Sequence, residues 1–405
     1  MQAVMVIPKG SEKMLTQHVA GIPLLERVLA TAMRAGVREL VLFWPCGMDP
    51  ALWEETAASP ILRGLKTLKV DSFPFDPKES RSWNAIRTLL QQEFLWLPWN
   101  FVTSSRLLSA LEPSPVLPLN WGKPVHLTKE LFGRSPRVGV TTDREIDGVS
   151  IYSPGDLPKA ERFLVATSGK STDGIYSSFN RKLCRPFVRA LTHTPITPNV
   201  VTLAGLLVAV ISALLYSRGY YLSYVAGAVL FFISGLIDEM DGMLARLKFR
   251  ESAFGTWFEG FVDNATYLLL FSGITAGLYR QYGQRELIWG IALIAGCLLS
   301  VWMVAMQRKA LTPPDRPHEY SARINRLMET DSSPISRIAR QIHIFVKKGV
   351  AVHYVLLFTV VGALPVFLRI AAISANLTWT VATYLTWRFG RRNRAVTVEL
   401  VQSTR

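Results

Sequence analysis

Residues 238–263 read DEMDGMLARLKFRESAFGTWFEGFVD. Asp238 and Asp241 are i, i+3 and Glu259 and Asp263 are i, i+4, so on helices each pair shares one face. Both pairs stand at the ends of apolar runs long enough to enter a bilayer. An ionised Asp inside a membrane helix costs roughly 2.5–3.5 kcal/mol on insertion scales, so something cationic must compensate such a group. Two facing helices would converge the four carboxylates on one spot, and the spacing predicts a metal site. Carboxylate oxygens are hard ligands and no His or Cys accompanies them, so Mg2+ or Mn2+ is expected over zinc. Four acids suit two ions, and paired ions suit phosphoryl transfer. Gly242 and Ala245 remove bulk beside the acids, Arg246 offers a forked donor to a phosphate, and Gly255, Glu259 and Asp263 line one stripe. A carboxylate beyond those holding the ions can serve as general base toward an alcohol. The competing reading is structural: the acids pair with Arg246, Lys248 and Arg250, or line an ion path.

Outward from this stretch, the 405-residue chain is 49% hydrophobic and carries a net charge of +15. Residues 1–165 mix charge with short apolar runs, whereas 200–390 hold repeated stretches near twenty residues, the mark of a membrane domain. Six spans are expected, at 199–217, 220–246, 253–279, 286–307, 349–368 and 371–388. The segment from Arg308 to Lys348 carries nine Lys or Arg, and Arg388, Arg391, Arg392 and Arg394 follow the last span. The positive-inside rule then places both termini, this loop and the four acids on the cytoplasmic side of a multi-pass cell-membrane protein. The opening MQAVMVIPKGSEKM has no basic region followed by an apolar one, so no signal peptide is expected. Cys46, Cys184 and Cys297 are scattered and point to a reducing side without disulfides. The basic residues flank membrane segments, which favours anionic lipid headgroups; no nucleic-acid module is present.

The first 165 residues alternate strands and helices. Strands are predicted at 2–7, 37–44, 66–70 and 94–97, with helices at 22–35, 50–58 and 80–92, a pattern that predicts a largely parallel α/β sheet. Residues 166–198 form a connector. Phe179, Leu183, Phe187 and Leu191 recur every fourth residue while Arg181, Lys182, Arg185 and Arg189 take other faces, predicting a basic amphipathic helix on the membrane surface, bent at Pro186. A solvated linker helix is the alternative. Thr197-Pro198 marks the N-terminus of the first span. The domains are thus 1–165, the connector 166–198, the membrane domain 199–392 and a cytoplasmic tail 393–405.

The pattern Asp-x2-Asp-Gly-x2-Ala-Arg-x8-Gly-x3-Asp-x3-Asp is the signature of the CDP-alcohol phosphotransferase family. This sequence resembles it at Asp238, Asp241, Gly242, Ala245, Arg246, Gly255 and Asp263, with Glu259 where the family has its third Asp. The resemblance implies that Asp238, Asp241 and Glu259 hold a di-metal centre, with Asp263 completing it and acting as base. It also implies that Gly242, Ala245, Arg246 and Gly255 contact the cytidine diphosphate, and that Asn199 and Thr202 lie near the nucleotide. The implied donor is CDP-diacylglycerol or CDP-inositol, the acceptor an alcohol, the by-product CMP and the assembly a homodimer among membrane lipids. Arg308, Lys309 and Arg391 are candidates for a phosphate on the acceptor. Residues 1–165 resemble the sugar-nucleotidyltransferase fold, through AVMVIP, GIPLLERVLATAMRAGV and RELVLFWP. In the loop after the first strand only Gly10 remains of a glycine-rich run, with Lys9 and Lys13 as phosphate partners, and Leu97-Pro98-Trp99-Asn100-Phe101 lacks the Asp that binds metal there. This half is therefore expected to be catalytically degenerate. The order of halves, with Thr172-Asp173-Gly174, Phe179-Asn180-Arg181 and the stretch 194–199, resembles fused inositol-phosphate cytidylyltransferase and di-myo-inositol-phosphate-phosphate synthases. The fold class expected is multidomain: an N-terminal α/β, Rossmann-like nucleotidyltransferase-like domain followed by an all-α six-helix transmembrane domain. Two other readings stand beside the transferase: a membrane scaffold built on two decayed enzymes, and a bifunctional enzyme whose first half is an active cytidylyltransferase.

Overall fold

The computed structural model describes residues 1–71, 75–114, 116–118, 120–132, 138–139, 146–169, 174–311 and 348–403. Most of the basic loop expected after Arg308, and Thr172 and Asp173 of the connector, lie outside these residues. Two compact units are interleaved in sequence. The first holds Met1–Thr172, Arg185–Thr197 and Gly242–Glu251; the second holds Asp173–Cys184, Pro198–Asp241 and Ser252–Arg405.

The first unit is built on a sheet of β1 (Gln2–Val6), β2 (Glu39–Trp44), β3 (Lys66–Asp71), β4 (Glu93–Trp96) and β5 (Val125–Thr128), in the order β3-β2-β1-β4-β5. The first four strands are parallel and β5 pairs antiparallel with β4. Strand–helix alternation predicts the parallel part, since each crossover needs a helix. The helices between are α1 (Leu24–Arg34), α2 (Ala51–Ala57) and α3 (Ser80–Ile86), followed by α4 (Ser105–Ser109) and α5 (Leu157–Thr167). Ala3, Val4 and Met5 are fully buried, as a central strand covered on both faces must be. β5 is absent from the sequence reading because Val-His-Leu-Thr has neither the length nor the apolar density of the other strands. The core on one side is aromatic: Trp83 stacks on Phe132 at 4.5 Å and on Trp121 at 5.4 Å, and its indole N–H donates to Pro77 O at 2.8 Å.

A buried carboxylate ties the late segments of this unit together. Glu161 on α5 accepts from the Ala20 N–H at 3.1 Å and pairs with Arg189 at 3.0 Å and His193 at 3.1 Å. Gly21 is required here: it has φ +81, and an added Cβ would stand 2.1 Å from Thr192 O.

The connector is α6 (Ile175–Thr192), with Pro186 inside it. Phe179, Leu183 and Phe187 are exposed while Asn180, Cys184 and Val188 are buried.

The second unit consists of α7 (Pro198–Ser217), α8 up to Asp241 (the whole helix is Tyr221–Leu247), α9 (Ala253–Tyr282), α10 (Gln284–Leu311), α11 (Lys348–Val360) and α12 (Leu364–Ser403). Five helices are long and apolar enough to cross a membrane, so this is a multi-pass membrane protein. The expected sixth span is not found among the described residues. Of 349–368, only the 13-residue α11 is apolar helix before a turn at Val361 and Gly362, where φ is +75. The last helix also runs far beyond 371–388, into the segment expected as a tail. Outward side chains such as Leu207, Leu214, Ile291 and Trp302 are exposed, as lipid-facing positions are.

Inside the bundle, glycine sets the helix spacing. An added Cβ on Gly273 would meet Ala213 O at 2.3 Å, and one on Gly277 would meet Tyr216 O at 2.1 Å. The close helix packing expected of these residues is what α7 and α9 show, since only glycine lets the backbones approach so far. Tyr216 is fully buried and its hydroxyl lies 3.0 Å from Thr359 Oγ1. Gly277→Leu should therefore lower the thermal midpoint of the detergent-solubilised protein, at a cost of about 1–3 kcal/mol or more. Gly260, with nothing within 4 Å of an added Cβ, should tolerate alanine in the same assay.

Candidate active site

The motif residues occupy two helix ends joined by a short turn. α8 carries Asp238, Asp241, Gly242, Ala245 and Arg246 along its last turns, and α9 carries Gly255, Glu259 and Asp263 along its first. Ser252 caps α9, its Oγ accepting from the Gly255 N–H at 2.9 Å, a role that Ser just before an apolar helix announces.

Asp241 is 3% exposed and accepts a hydrogen bond from the Thr202 hydroxyl on α7 at 2.5 Å. The same hydroxyl lies 3.1 Å from Pro198 O. One turn away, Asn199 stands beside Gly255: an added Cβ on that glycine would come 3.5 Å from Asn199 Oδ1. The first turn of α7 thus meets both acid-bearing helices of this unit. Asp238 and Asp263, on different helices, both act electrostatically on the Tyr267 ring hydroxyl, one turn beyond Asp263. That hydroxyl is buried and makes no hydrogen bond among the described residues. Glu259 lies half-buried one turn before Asp263. The structure therefore brings Thr202 to Asp241, Asn199 to Gly255, and Asp238 and Asp263 around one tyrosine.

It does not bring the acids into one tight cluster. Among the described residues, no group of three or more His, Cys, Asp or Glu side chains stands close enough to hold a metal ion. The donor set itself, all oxygen and on two helix faces, fits a hard divalent ion. Glu239, inside the same stretch, is taken by Arg181 at 2.8 Å.

From Gly242 onward α8 belongs to the first unit, and there its end is capped by arginines the sequence reading did not single out. Arg27 on α1 donates to Val19 O at 2.6 Å, Ala20 O at 3.2 Å and Leu247 O at 2.9 Å. Arg34 donates to Arg246 O at 3.1 Å and pairs with Glu251. Cations at a helix C-terminus satisfy its orphan carbonyls and suit its dipole. Phe249, at φ +53, turns the chain between them, its ring 5.4 Å from Arg27 and 4.3 Å from Arg34. Burial, then the neighbouring Arg34, pushes the Arg27 guanidinium down to about 9. Lys248, which the structural reading paired with the acids, instead donates to Thr194 O at 2.6 Å and Ile196 O at 2.9 Å, and burial lowers its ammonium. Arg246 donates its Nε proton to Ser168 O at 2.6 Å and lies over Gly242.

Elsewhere, Arg308 and Lys309 are exposed at the end of α10, and the Arg391 side chain lies outside the described residues. In the first unit, Asn100 is buried and its amide donates to Ile151 O at 3.0 Å. Gly10 has φ +87, as a tight turn after β1 needs.

Residues 195–388 match the family described as CDP-alcohol phosphatidyltransferase. The chain is similar to a bifunctional IPC transferase and DIPP synthase of Aquifex aeolicus, 24% identical over 242 residues, 59% of this chain and 50% of the relative. It is 34% identical over 122 residues to an archaetidylinositol phosphate synthase of Methanothermobacter thermautotrophicus, 30% of this chain and 58% of that one. A phosphatidylinositol phosphate synthase of Mycolicibacterium smegmatis is 36% identical over 94 residues, 23% of this chain and 41% of that one. The chain spans about half the length of the first curated relatives it matches, 50% and 58%.

Two substitutions test this geometry. Thr202→Val should destabilise the protein by about 1–3 kcal/mol in thermal unfolding, because a buried carboxylate loses a donor, while Thr202→Ser should not. Arg27→Met should cost about 3 kcal/mol or more, since several buried carbonyls lose their donor together; a wild-type midpoint would show that the cap carries no weight.

Proposed function

We propose, on the premise that residues 195–388 are a CDP-alcohol phosphatidyltransferase domain, that this chain is an integral-membrane transferase acting on CDP-linked alcohols. It moves a phospho-alcohol group from the CDP donor to an acceptor hydroxyl and releases CMP. The observation that supports this most is the seating of Asp238 and Asp263 around Tyr267 beside the Thr202–Asp241 hydrogen bond, at the meeting of three membrane helices.

In this reading Asp263 accepts the proton of the acceptor hydroxyl. The oxygen attacks the β-phosphorus, the bond from that phosphorus to the bridging oxygen breaks, and CMP leaves with the electron pair. Asp238, Asp241, Glu259 and Asp263 are the residues that would hold two Mg2+ or Mn2+ ions, which when bound neutralise phosphate charge. Gly242, Ala245 and Gly255 leave room for the nucleotide, with Arg246, Asn199 and Thr202 around it. The names of the similar synthases favour an inositol-type group as donor alcohol or acceptor, with CDP-diacylglycerol or CDP-inositol as donor. The cytoplasmic orientation follows from the excess of basic residues after Arg308 and Arg388. A homodimer is the assembly the family resemblance favours. Residues 1–165 serve as a structural companion to the α8 end, because Asn100 offers an amide where a nucleotidyltransferase needs a metal-binding carboxylate.

Glu259 in place of an Asp favours one second reading, a membrane scaffold derived from such enzymes. Purified protein with CDP-diacylglycerol or CDP-inositol, offered inositol phosphates and other alcohols, should release CMP. Asp263→Asn should slow that release roughly a hundredfold or more while keeping donor binding. Normal turnover by this variant would remove Asp263 as the base. A wild-type protein with neither CMP release nor Mn2+ affinity dependent on Asp238 and Asp241 would favour the scaffold.

A further inference from the structure

Arg27, Arg34, Arg106 and Arg246 line one cavity of about 380 Å3 within the first unit. The only carboxylate among its lining residues is Glu251, and that one is paired with Arg34. Four guanidinium groups less one carboxylate leave the lining at +3. Glu161, which also acts on Arg27, is engaged by the Ala20 N–H, Arg189 and His193. The charge of Arg27 is held there against burial and against its neighbour Arg34. Converging like charges in a partly desolvated cavity call for an anion.

The chemistry of the lining selects the anion. Hydroxyls such as those of Thr31 and Thr167 already donate to backbone carbonyls, at 2.8 Å and 2.9 Å. Arg27, Arg34 and Arg246 also give donors to backbone carbonyls, so recognition falls to the Arg106 guanidinium fork, whose planar donors match phosphate and carboxylate oxygens, and to the positive charge of the other three. Arg106 is exposed on α4, lines this cavity and makes no ion pair among the described residues. The volume lies in the range of small-ligand pockets, about 300–1,000 Å3. We propose that this cavity binds a phosphate group, carried by a soluble phosphate monoester or by the headgroup of an anionic phospholipid, with Arg106 as its entrance donor. Of the motif positions only Arg246 lines the cavity, and the proposal does not rest on the transfer reaction. A phosphate held there lies beside Arg246 and competes with Ser168 O for its guanidinium.

The test uses the full-length chain as wild type, Arg106→Glu, Arg106→Gln and Asp263→Asn. Each is titrated calorimetrically with inorganic phosphate in detergent. Each is also melted in phosphatidylcholine nanodiscs with and without phosphatidic acid. A soluble ligand predicts saturable phosphate binding that weakens roughly tenfold or more in Arg106→Glu, less in Arg106→Gln, and is retained in Asp263→Asn. A lipid ligand predicts that phosphatidic acid raises the midpoint of wild type and Asp263→Asn but not of Arg106→Glu. Arg106 is exposed, so neither substitution threatens folding, and Arg106→Gln keeps the side-chain volume while removing the charge. The proposal is overturned if neither anion has an effect, if either effect persists in Arg106→Glu, or if the effects vanish with Asp263→Asn.

Discussion

A carboxylate that is 3% exposed inside a bundle of apolar helices is the constraint around which the second unit is arranged. Asp241 is tolerated there because a donor reaches it, and an unsatisfied charge at such depth would cost far more than one hydrogen bond returns. The donor is Thr202, in the first turn of α7, so α7 must approach α8 closely at that level. Asn199, on the same face of α7, then comes to Gly255. At the opposite end of α7 the same closeness is maintained by Gly273 and Gly277 on α9. The position of every acid follows from these contacts, because the helices are rigid rods once two points on each are fixed.

The end of α8 faces a different problem. A helix of 27 residues leaves its last carbonyls without intrahelical donors, and the chain must reverse within a few residues to start α9. Arg27 and Arg34 answer both needs: they donate to Leu247 O and Arg246 O, and they flank the Phe249 ring at the left-handed turn. Burying Arg27 is costly, as its lowered pKa records. That cost gives the first unit a physical role in shaping the motif helix, whether or not it has chemistry of its own.

Much of this was legible before any coordinates. Buried strands hold unbroken apolar runs such as Ala3–Val6 and Leu40–Trp44, and α1 shows its periodicity through Leu24, Leu25, Val28 and Leu29. The membrane helices announce themselves by length, and the connector by its four-residue apolar repeat around Pro186. Reading failed where the signal is not local. The segment 349–368 looks like a span because Gly362 interrupts it without lowering its hydropathy; only the backbone shows the turn. β5 takes its structure from its neighbour β4 rather than from its own residues.

The sequence alone determined which side chains are available at the site, and on which helix faces, because spacing along a helix converts directly into direction. It therefore determined the motif of Asp238, Asp241, Glu259 and Asp263 and the small residues beside them. Which partners those groups meet was decided only by tertiary structure. Thr202 lies 39 positions from Asp241, Ser168 lies 78 from Arg246 and Arg27 lies 220 from Leu247. Contacts across such separations depend on how helices pack and chains turn, and no local pattern of residues encodes that.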